Sequence, residues 1–104
     1  MPECYHKQID ARLLRLTEAV VLRIDTQPDL RARMRENVSR WSNVRMRAKW
    51  AMLLELPWSQ LRGRLLEKTE AGAALRQNAP LGGILAATER TRIMREFTHD
   101  ARAA

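Results

Sequence analysis

The sequence predicts an all-α protein, a compact bundle of four to five helices forming one domain over residues 1–104, on three observations. Apolar residues recur at three- and four-residue steps along most of the chain. Period-two alternation is not sustained, and β-branched residues cluster only at Val20-Val21. Turn-forming residues fall in short connections, with no Gly/Ser/Pro-rich linker, repeat or low-complexity stretch to divide the chain. With 45% hydrophobic and 30% charged residues, 104 residues can build one core, burying roughly two-thirds of the surface of the unfolded chain.

In the first helix, about 8–25, Ile9, Leu13, Leu16, Val20 and Ile24 mark one face, which Leu14, Thr17 and Val21 widen. Thr26, Pro28 and Asp29 then end it and start the next: a capping hydroxyl, a first-turn proline and an acid near the positive helix end. The second segment, about 28–55, is expected to be the long central helix, with Leu30, Met34, Val38, Trp41, Val44, Ala48 and Met52 in one arc. From residue 46 a second apolar set, Met46, Trp50 and Leu53, lies on another face. A continuous helix buried on two sides is favoured over a break at Ser42-Asn43, although both residues cap well.

Leu56-Pro57-Trp58 closes that segment and opens a short helix of about 57–67 carrying Trp58, Leu61, Leu65 and Leu66. Thr69 caps a further short helix through Leu75, weakened by Gly72, and Asn78-Ala79-Pro80 stops it. Leu81-Gly82-Gly83-Ile84-Leu85 reads as an apolar plug entering the core, and a final helix of about 86–100 presents Ile93, Met94, Phe97 and Ala101.

Composition excludes several classes of function. The chain is too short for separate cofactor and substrate domains, and no apolar run approaches the ~18 residues that span a bilayer. The start, Met-Pro-Glu-Cys-Tyr-His-Lys, lacks the apolar core of a signal peptide, and a single cysteine excludes an internal disulfide. A cytoplasmic, reducing setting without a membrane partner is therefore expected.

Catalytic and metal chemistry find little support. Cys4, His6 and His99 do not reach the three or four ligands of zinc at a known spacing, so no metal and no cofactor is expected. Neither histidine has a nucleophile partner, and the paired acids Glu67 and Glu70 or Glu89 and Glu96 read as a solvated helix face, with Glu67, Glu89 and Glu96 three or four residues from arginines that can pair with them. Gly82-Gly83 follows no strand and precedes no Lys-Ser/Thr, so it is a turn rather than a phosphate loop. A helix-turn-helix over 59–76 fails at Glu67-Lys68, where glycine and a buried apolar residue are wanted. A non-enzymatic protein is the expectation.

Charge placement is the most informative signal. The chain carries +7, and residues 31–50 hold seven basic residues against one acid. The excess of Arg over Lys is what a GC-rich bacterial genome produces, but the concentration in one stretch is not. On a continuous helix Arg31, Arg35, Arg45 and Lys49 gather on one side, with Arg33, Arg40 and Arg47 in a second line that Glu36 partly neutralises. Such a row suits nucleic-acid phosphates, DNA or RNA, with counterion release supplying affinity. Trp50 is a candidate for stacking on an unpaired base, and equally for the core.

The leading expectation is a small protein that binds nucleic-acid backbone, a regulator or a subunit of a nucleoprotein complex. The alternative is a protein-interaction module, antitoxin-like or an adaptor. It would use Met46, Trp50 and Leu53 as partner or homo-oligomer interface.

Overall fold

A computed structural model describes the backbone of residues 2–103 and the side chains of residues 10–97. Among these residues the chain is all-helical: α1 (Pro2–Thr26), a 3-10 turn (Pro28–Leu30), α2 (Arg31–Ser39), α3 (Val44–Leu53), α4 (Trp58–Leu65), α5 (Glu70–Gln77) and α6 (Ala87–Ala103). The longest element is α1, which packs against α5, α6 and the 3-10 turn. Its inner face supplies Val20, Val21 and Ile24 to a core completed by Met34, Val38, Trp50, Leu54, Leu61, Leu65 and Ile84. Thr17 is buried in that face with its hydroxyl donating to the Leu13 carbonyl, so it adds no unmet polar group.

The expected long central helix is corrected. The segment breaks between Ser39 and Val44, giving six α-helices instead of four or five. The last turn of α2 tightens: the amides of Arg40 and Trp41 bond to the carbonyls of Asn37 and Val38, three residues back, and the Ser39 hydroxyl occupies the Glu36 carbonyl. Asn43 then adopts extended backbone angles and its Oδ1 accepts the Met46 amide at 3.1 Å, which starts α3 afresh. Two good caps in succession outweigh the apolar pattern that argued for continuity.

The other boundaries follow from local chemistry. Pro57 ends the α3 turn and precedes α4, while the Thr69 hydroxyl accepts the Gly72 amide at 3.1 Å to cap α5. Gly72 is required there, since a Cβ would lie 2.0 Å from the Glu67 carbonyl oxygen. The 81–85 plug forms as expected: Ile84 is buried and Leu81 and Leu85 pack against the core. Gly83 takes a positive φ of 77° to turn the plug back. Asn37 of α2 holds it in place, donating to the carbonyls of Pro80 at 3.1 Å and Gly82 at 2.9 Å.

One charged side chain is fully interior. The Arg76 guanidinium, 0% exposed, meets both carboxylate oxygens of Asp10 at 2.8 and 3.0 Å. It also donates to the carbonyls of Leu65 at 3.0 Å and Glu67 at 2.7 Å. It thus closes the C-terminal end of α4 and ties α1 to α5. Arg76→Met keeps most of the stem volume but strands the Asp10 carboxylate and two carbonyls. We expect a loss of about 3 kcal/mol, the lower end for a broken buried pair because Asp10 is one-third exposed. Urea denaturation monitored by circular dichroism measures it, and a loss within experimental error would mean that water replaces the guanidinium.

Candidate interaction site on helix three

The break at 40–43 rotates α3 relative to α2 and thereby reassigns its faces. Met46, Trp50 and Leu53, expected at a partner interface, turn inward: Trp50 is 0% exposed, and Met46 and Leu53 pack against the core. Trp50 is therefore a core residue and offers no ring for base stacking. Its Nε1–H has no acceptor, so packing alone holds it. Val44, Ala48 and Met52, expected in the core, face solvent instead, with Val44 65% and Met52 75% exposed. Ala51 is exposed on the same arc, so an apolar strip runs the length of the helix.

The basic residues separate into two groups. Arg31 and Arg35 serve the fold. The Arg31 Nη2 donates to the carbonyls of Leu54 and Leu56 at 2.8 Å each, and Arg35 reaches the Leu54 carbonyl at 3.4 Å. The Leu54 carbonyl sits at the C-cap of α3 and the Leu56 carbonyl in the turn that follows it, so the two arginines of α2 close the end of α3 and the turn beyond. Burial, then the neighbouring Arg35, lower the Arg31 pKa, while Glu55 acts in the opposite sense. The Arg31 guanidinium also lies 5.6 Å from the Trp58 ring centre. Trp58 in turn donates its Nε1–H to Asp25 at 2.7 Å, and Asp25 pairs with Arg62 at 2.8 Å. This relay locks the α3–α4 corner onto the end of α1.

Of the remaining expected cations, Arg33 pairs with Glu36 at 3.6 Å, both half-exposed, and Arg47 donates to the Trp41 carbonyl at 3.2 Å. Arg40, Arg45 and Lys49 are exposed and have no ion pair or side-chain hydrogen bond among the described residues. At 100° per residue Arg45 and Lys49 border the apolar strip on one side and Arg47 on the other. The segment 40–53 contains no acid. The expected row of Arg31, Arg35, Arg45 and Lys49 is therefore not a single surface, whereas Arg45, Arg47 and Lys49 border the exposed strip.

Elsewhere, a groove of about 700 Å³ between α1, the plug and α6 is lined by Leu13, Leu16, Val20, Leu85 and Met94 with Arg90. Among the described residues, no carboxylate, histidine or cysteine lines it. Among the described residues no group of three His, Cys, Asp or Glu side chains could hold a metal ion, and no helix is long and apolar enough to cross a membrane. Cys4, His6 and His99 lie outside the residues whose side chains are described.

The two cation groups differ in their expected response to mutation. Arg31→Met leaves the Leu56 carbonyl unmet and should cost about 2 kcal/mol, with faster amide exchange in the last turn of α3. Arg45→Met should stay within about 0.5 kcal/mol of the parent. Equal effects in a denaturation series would remove the distinction.

Asp25 supplies a pH signature. The hydrogen bond from Trp58, then that from Arg62, hold its carboxyl below the usual carboxylate value. The stabilisation is present above the unfolded-state pKa and is lost as pH falls through the lowered folded value. Trp58→Phe should raise the Asp25 pKa and narrow that window. A carbon-detected NMR titration reads it directly, and an unchanged pKa would exclude the indole as the main cause.

Comparison with protein-family models, with curated proteins and with solved structures finds no match to this chain.

Proposed function

We propose that this protein is a non-enzymatic interaction module that docks a protein partner on the outward face of α3. The observation that carries the reading is the exposure of Val44 and Met52 on the helix whose opposite face, through Met46, Trp50 and Leu53, is already in the core. A helix apolar on both sides is ordinarily covered on both sides. Its mounting is rigid: Asn43 caps its start, and Arg31 and Arg35 hold its end. A pre-organised helix loses little entropy on binding, which favours recognition by shape.

Nucleic-acid backbone binding is the second reading, supported by the exposure of Arg40, Arg45 and Lys49 without acidic partners. Phosphate contacts leave Val44 and Met52 unexplained, however, and Trp50 is not available for stacking.

Site-specific photo-crosslinking in the source cell distinguishes the two. A benzophenone side chain at Ala48 should yield a discrete protein adduct, absent when the same group is placed at the exposed Gly63 of α4 and lost on Met52→Ser. The absence of a protein adduct at Ala48 would overturn the docking reading. Salt-sensitive oligonucleotide binding that survives Met52→Ser but not Arg45→Glu with Lys49→Glu would replace it with the phosphate reading.

A further inference from the structure

The outward strip of α3 carries electrostatic features that identify its occupant. Arg45 and Lys49 are four residues apart on one helix face, a like-charge spacing that destabilises a helix. Arg45 and Arg47 occupy the first turns of α3, at the positive end of the helix dipole, and no acid offsets them there. Within Val44–Leu53 there is no carboxylate, and the nearest downstream, Glu55, lies beyond the end of the helix. Three local rules are thus broken on one exposed face without compensation from within the chain.

Shape adds a second constraint. Val44 and Met52 stand about 12 Å apart along the helix axis, with only Ala48 and Ala51 between them. Two larger side chains separated by small ones make a shallow saddle, which suits a partner helix crossing at close range with its own bulky residues over the alanines. Methionine at the rim can adjust to the shape of the occupant.

We infer that the α3 face receives an acidic amphipathic helix, its apolar residues seated over Val44, Ala48 and Met52 and its carboxylates reaching Arg45, Lys49 and Arg47. The inference rests on the protein-docking reading given above. An acidic partner removes the like-charge repulsion and the unfavourable dipole contacts together, so charge complementarity selects it. A second copy of this chain does the reverse, because a two-fold axis through α3 sets the same cations against each other. Anchors at four-residue intervals match recognition of a helix laid along an apolar face.

The test uses two fluorescein-labelled synthetic helices sharing one leucine stripe, one flanked by glutamates and the other by lysines. Anisotropy titrations against the full chain should show the glutamate helix binding at least about tenfold more tightly. Arg45→Glu with Lys49→Glu should invert that preference, and Val44→Ser with Met52→Ser should weaken both peptides. All four positions are exposed, so circular dichroism should report an unchanged fold. Equal affinities, or binding of neither peptide, would overturn the inference. So would concentration-dependent self-association in sedimentation velocity that Met52→Ser abolishes, which would make the occupant a second copy. If neither peptide binds while the photo-crosslinker at Ala48 still captures a protein, the acidic-helix chemistry fails and the docking reading stands. If capture fails too, both fall.

Discussion

The bend between Ser39 and Val44 is the constraint on which the functional surface depends. A cap hydrogen bond of 3.1 Å from the Met46 amide to Asn43 starts α3 in a new direction. That single event chooses which of two apolar sets enters the core. One set, Met46, Trp50 and Leu53, fills the space against Met34, Val38 and Leu61, and the other is left outside. Because side chains on a helix repeat every 3.6 residues, a change of direction reassigns a whole face at once.

The arginines divide along the same line. On α2, Arg31 and Arg35 bond to carbonyls at the end of α3, so their charge contributes to holding two helices together. Past the bend, Arg45 and Lys49 are exposed beside an apolar strip, and Arg47 on its other side reaches only the Trp41 carbonyl. A shared sign and a shared segment had grouped these residues, but their partners separate them. Arg76 shows the same effect more strongly: its fully buried guanidinium closes the C-terminal end of α4 and pairs with Asp10 of α1. Counting charges therefore overstates the surface available to phosphates, and it misses the cations that are structural.

Much of the fold was legible in the residues. The stops at Thr26–Pro28, Pro57 and Asn78–Pro80 and the Thr69 cap depend on contacts between residues close in sequence, where intrinsic preferences act directly, and the 81–85 plug shows in its apolar composition between turn residues. Asn43 was legible as a cap but competed with a seven-residue apolar arc that ran through it. From sequence alone, periodicity summed over many turns looks stronger than one hydrogen bond. In the folded chain, the tightened turn at Arg40 and Trp41 and the burial of Trp50 add to that bond. For Arg31 and Arg76, no local signal exists: their acceptors lie 9 to 66 residues away in the chain.

Composition and periodicity were thus enough to establish an all-helical fold, the position of most helix ends and the location of the surplus positive charge. Each of these follows from short-range sterics, capping and the count of charges. Which face of α3 is free, which arginines are engaged and where Trp50 resides were settled by the packing of distant segments. Burial is a property of what lies opposite a side chain, and no spacing along one helix specifies the surface that meets it.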